Sequence, residues 1–209
     1  MPATDLLTLS DIGFAYPGEP AIFTGASMSV GPGVTLLYGD TGSGKSILLH
    51  IMAGRLRASG QQRLAGVNPD TDRAAYERQV FFVDPVTDAF DQMTGHACTA
   101  ALRDGDAGFD EARWRMLADG FSLGPQLDKP LFMLSTGSKR KVWLAAALAS
   151  GRTLVLLDEP TYGLDAGSRR CLWDALTAAS RDATRAIVVA SSDRTDQVPF
   201  VATLTLPPR

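Results

Sequence analysis

The octapeptide Gly39-Asp40-Thr41-Gly42-Ser43-Gly44-Lys45-Ser46 constrains this chain more than any other stretch. It fits G-x-x-x-x-G-K-[ST] at every constrained position. A β-rich run at residues 34–38 leads into it, and a helical pattern at residues 45–56 leads out. Glycines let the backbone turn with positive φ, so successive amides point inward as a nest for anions. The following helix adds free N–H groups and the positive end of its dipole. Lys45 supplies a point charge to β- and γ-phosphates, and the Ser46 hydroxyl suits Mg²⁺, which prefers hard oxygen ligands.

Two further apolar runs, at residues 153–157 and 187–190, are continuous rather than alternating, as expected when helices cover both faces of a sheet. Helical patterns at residues 138–149 and 167–180 lie among them, which points to a parallel α/β core. Residues 7–16 and 26–30 read as antiparallel strands separated by a Pro-Gly-Glu-Pro turn. Residues 94–131 lack strand signals and read as helical. The expected fold is α/β: a P-loop NTPase core with a parallel sheet, an N-terminal antiparallel β subdomain and a small helical insert. The chain reads as a single nucleotide-binding domain over residues 1–209, with the insert at roughly 94–135.

The run at residues 153–157 ends on Asp158 and Glu159. Joined to a phosphate loop, this order places one acid in reach of a metal and the other near the γ-phosphate. Asp158 and Ser46 are therefore the candidate Mg²⁺ ligands, and Glu159 the candidate general base. Ser135 is a natural N-cap for the helix beginning near residue 138, and Gly137 permits close backbone approach to that helix start, a second anion site.

At this point the sequence resembles the ATP-binding cassette (ABC) ATPases over nearly its whole length. FAYPGEP at residues 14–20 is similar to the segment whose aromatic stacks on adenine, and SGQQRLAGVN at 59–68 to a glycine-containing hairpin. LSTGSKRKVWLAAAL at 134–148 is similar to the family signature, and TLVLLDEPTYGLD at 153–165 to the second phosphate motif and the aspartate loop. The resemblance implies ATP and Mg²⁺ as cofactors, with Tyr16 on the base and residues 39–46 and Ile47 around the phosphates. Ser135, Gly137 and Asp165 would complete the site of a second chain. It implies an ATPase subunit that powers or gates a separate integral membrane transporter subunit. That subunit would work as a head-to-tail pair, cytoplasmic and peripheral on the membrane's inner face. The alternatives are a soluble, non-transport ABC ATPase, or a nucleotide-gated structural subunit with weak hydrolysis.

Four positions depart from the family pattern. Val83 or Asp84 stands where a glutamine is usual, Gln92 lying too far along, and Ser192 stands in place of a histidine beside the γ-phosphate. Thr136 replaces a signature glycine, and Ile47 replaces a hydroxyl residue by the α-phosphate. A hydroxyl can donate one hydrogen bond but cannot become cationic as imidazole can. These substitutions leave binding intact and predict slow hydrolysis, with Ser192 filling the histidine's place.

Composition excludes several alternatives. A net charge of −3 lacks the basic footprint of a nucleic-acid binder, so no nucleic acid is expected. The run Lys139-Arg140-Lys141 reads as a solvated face or as charge flanking phosphate. Cys98 and Cys171 have no metal-ligand spacing and read as buried free thiols. His50 and His96 read as surface or core residues, and Trp114, Trp143 and Trp173 as packing residues. No apolar run is long enough to span a bilayer, and the acidic start does not read as a signal peptide.

Overall fold

The computed structural model describes residues 5–208. A five-stranded parallel sheet carries the core: β3 (Gly33–Tyr38), β5 (Val80–Phe82), β6 (Leu154–Asp158), β7 (Ala186–Ser191) and β8 (Ala202–Thr205), in the order β5-β6-β7-β3-β8. A three-stranded antiparallel sheet, β2-β1-β4, is formed by β1 (Leu7–Phe14), β2 (Phe23–Val30) and β4 (Ser59–Leu64). Ala65 and Gly66, both at positive φ, turn the chain back after β4, where Leu64 bridges Val67. The helices are α1 (Lys45–Met52), α2 (Arg73–Arg78), α3 (Gly95–Leu102), α4 (Glu111–Gly120), α5 (Thr136–Ala149) and α6 (Ala166–Ala179).

The continuous apolar strands are explained by burial on both faces. Leu154 and Leu156 pack with α1 and the antiparallel sheet, while Val155 and Leu157 pack with α5 and α6 on the opposite face. β7 alternates the same way: Val188 and Ala190 face the first layer, Ile187 and Val189 the second. Asp110 caps α4 through the Arg113 amide, Ser135 caps α5 through the Ser138 amide, and Asp165 caps α6 through the Ser168 amide. At the other end of α5 the buried Arg185 guanidinium donates to the carbonyls of Leu148 and Ser150, which have no partner within the helix.

The structure differs from the sequence reading at element ends. α1 stops at Met52 because Gly54 turns at φ 71, not at residue 56. α5 begins two residues earlier than its apolar pattern, because the Ser135 cap fixes the start at Thr136. Strands β5 and β8 and the short helix α2 carry no periodic signal of their own. Among the described residues no helix is long and apolar enough to cross a membrane.

Candidate functional site

Strands β6, β7 and β3 are neighbours in the sheet and run in parallel, so their C-terminal ends open on one place. The glycine loop leaves β3, Asp158 and Glu159 end β6, and Ser192 follows β7. The Glu159 amide donates to Ala190 O at 2.9 Å and the Gly39 amide to Ser191 O at 3.4 Å, which carries the register into the loops. Gly44 sits at φ 99, a left-handed conformation that side chains rarely adopt, and a Cβ there would meet Phe23 Cζ at 3.0 Å.

Lys45 is only 6% exposed. Its ammonium donates to Gly39 O at 2.7 Å, to Asp40 O at 3.0 Å and to Ser192 Oγ at 2.9 Å. Glu159 Oε1 lies 3.4 Å from the same nitrogen. Ser192 in turn donates to Glu159 Oε1 at 2.7 Å. A serine hydroxyl has one proton, so in this arrangement Ser192 has none left for any other acceptor. Lysine, serine and glutamate thus form one closed set at the loop's mouth.

A cavity of about 490 Å³ opens there, lined by Thr41, Gly42, Gly44, Lys45, Ser46, Ile47, Glu159, Tyr162 and Ser192. Asp158 lies just behind it, hydrogen-bonded to Ser46. Burial pushes the Asp158 carboxyl above the usual carboxylate range, Glu159 adds to the rise, and Ser46, Arg140 and Lys45 oppose it. Asp158 Oδ1 is buried with no hydrogen-bond partner among the described residues. An orphaned carboxylate oxygen beside a hydroxyl is the hard-oxygen donor set that Mg²⁺ takes, completed by phosphate oxygens and water. Ser46 and Asp158 are the residues that would hold such an ion.

The other sequence-derived residues lie outside this cavity. Tyr16 is 45% exposed, its ring edge-on to Phe14 at 5.1 Å. Gly137 lies against Gly163, where a Cβ would overlap the Gly163 carbonyl. Asp165 accepts from Lys141 Nζ at 2.6 Å and from the Ser168 amide at 2.8 Å, and these bonds hold its carboxyl well below the usual range. Neither the Ser135–Gly137 helix start nor Asp165 lines the cavity that holds Lys45 and Glu159. Asp84 lies 3.1 Å from His50 Nε2, which joins α1 to the segment after β5, and Gln92 is exposed.

The basic run is not a solvated face. Lys139 bonds Asp91 at 2.5 Å and Lys141 bonds Asp165, while Arg140 is 8% exposed. The Arg140 guanidinium donates to the carbonyls of Asp158 and Glu159 and lies 5.4 Å from the Tyr162 ring centre. The signal was present in the spacing, since Arg140 shares a helix face with Gly137, Leu144 and Ala147. Tyr162, 68% exposed on the cavity wall, carried no signal of its own.

A phosphate nest opening a helix, facing two acids at the end of the next strand but one in a parallel sheet, defines a P-loop nucleotide-binding α/β protein. The sequence pattern of the ABC transporter family matches residues 23–162, and the chain belongs to that family. It is 35% identical to the cytochrome c biogenesis ATP-binding export protein CcmA of Rhodospirillum rubrum over 148 residues, 67% of this chain and 60% of that protein. It is 30% identical to the thiamine import ATP-binding protein ThiQ of Chelativorans sp. over 199 residues, 91% of this chain and 78% of that protein. The match thus spans less than two thirds of the first relative's length. A solved ATP-binding subunit of an ABC transporter has a TM-score of 0.77 at 21% identity, covering 89% of this chain and 79% of that one. A bacterial Atm1-family ABC exporter with ATP bound has a TM-score of 0.79 at 20% identity, covering 99% of this chain and 38% of that one. At those identities the likeness is one of fold.

Proposed function

We propose that this chain is the ATP-binding and ATP-hydrolysing subunit that powers or gates a separate integral membrane subunit. One observation carries the reading: Lys45, Ser46 and Glu159 line one cavity, with Asp158 tied to Ser46 behind it. Lys45 would leave its bonds to the Gly39 and Asp40 carbonyls and turn to the β- and γ-phosphates. Ser46 and Asp158 would hold Mg²⁺, which when bound offsets the phosphate charge. Glu159 would take a proton from the attacking water, and Tyr16 would stack on the adenine.

The cavity and the α5 start are separate on one chain, so a second copy set head to tail would bring its Ser135, Gly137 and Asp165 to complete the site. The subunit would sit peripherally on the cytoplasmic face of the membrane, beside its partner. CcmA is named for export in cytochrome c biogenesis and ThiQ for thiamine import, so the relatives point to no one cargo or direction. The hydrogen bond from Ser192 to Glu159 favours a second reading within the first, a slow ATPase that acts chiefly as a nucleotide-gated clamp.

Calorimetry with ATP and Mg²⁺ on the wild type and Lys45→Ala tests the site. Hydrogen bonds to charged groups contribute about 1.5–3 kcal/mol, so the variant should bind about tenfold more weakly or worse. Equal affinities would refute the cradle.

A further inference from the structure

Glu159 holds its left-handed backbone, φ 42, without being a glycine. Such a conformation persists only where the surroundings over-determine it, and it clusters at functional sites. The Glu159 amide is held by Ala190 O at 2.9 Å, and its carbonyl side is held by Arg140. Arg140, projecting from the second turn of α5, donates through a single guanidinium nitrogen to the carbonyls of both Asp158 and Glu159. Its charged plane also lies over the ring of Tyr162, whose amide bonds Glu159 O at 3.0 Å. The guanidinium is buried, and Glu159 follows directly on the strand end that Arg140 grips.

We propose that Arg140 is a positioning residue for the hydrolytic reaction: it fixes the backbone of Asp158 and Glu159 so that the Glu159 carboxylate meets the attacking water in line. The same side chain links the first turns of α5 to the backbone that carries that carboxylate. A shift of α5 as its N-terminus takes up the second chain's nucleotide would therefore reach Glu159 through Arg140. This rests on the hydrolase reading above. Arg140 itself lines no part of the phosphate cavity, so its loss should spare nucleotide binding.

The test is steady-state phosphate release over a range of ATP concentrations by the full chain, as wild type, Arg140→Gln and Arg140→Lys. A loosened base of this kind should lower kcat about tenfold or more with KM for ATP held within about twofold. Arg140→Lys should recover part of kcat, because a lysine keeps the charge and can reach one carbonyl but has no planar fork. ATP affinity measured by calorimetry serves as the check on folding. If Arg140→Gln does not fold, the intermediate kcat of Arg140→Lys at unchanged KM carries the test. A kcat equal to wild type in both variants, or a rise in KM with kcat unchanged, overturns the proposal alone. A wild type that binds ATP and releases no phosphate overturns the hydrolase reading, and with it the need for a positioned base.

Discussion

Ser192 has one proton to give, and it goes to Glu159 at 2.7 Å while Lys45 donates to the same oxygen of Ser192 at 2.9 Å. In this arrangement the serine bridges two groups of the site. A neutral hydroxyl cannot supply the cationic bond of an imidazole, and a charge-assisted hydrogen bond is roughly twice as strong as a neutral one. Ser192→His should therefore raise steady-state phosphate release by about tenfold, the equivalent of about 1.4 kcal/mol of barrier. A rate equal to or below wild type would place the rate limit elsewhere. At this scale the sequence was most legible where residue type and spacing alone define the chemistry, as at Lys45 and Ser46. It was least legible where a role depends on what lies opposite. His50 gave no sign of Asp84, and Tyr162 became part of a cavity wall only once the loop after β6 had folded back toward α1.

Among the elements, buried strands and capped helices could be read because burial on two faces and an N-cap each leave a local mark. β8 could not: its residues Ala202–Thr205 are largely exposed, and backbone pairing to β3 holds it in the sheet. β5 is three residues long and α2 six, too short for a period to register. The helical stretch between β5 and α5 was legible as an absence of strand signal, though not as two separately capped helices. The contact of α5 with the loop after β6 offers a test at this scale. A Cβ on Gly137 would run into the backbone carbonyl of Gly163, which cannot rotate away as a side chain can. Gly137→Ala should cost about 1–3 kcal/mol in denaturant unfolding, through forced separation of α5 from that loop. Unchanged stability would mean that the two backbones are free to part.

For the molecule as a whole, the sheet sets the arrangement. Strands β6, β7 and β3 bring Glu159, Ser192 and the phosphate loop to one edge, while the Ser135-capped start of α5 lies outside that cavity. In the proposed arrangement a second copy makes each half-site whole. The proposed function joins that dependence to Glu159 as the base. Both parts are read by one measurement: phosphate release per chain as a function of chain concentration, for wild type and Glu159→Gln. The wild-type rate per chain should rise with concentration toward a plateau. Glu159→Gln should stay about 100-fold lower or more throughout, the contribution expected of a general base. A wild-type rate per chain that is independent of concentration, matched by Glu159→Gln, would contradict it.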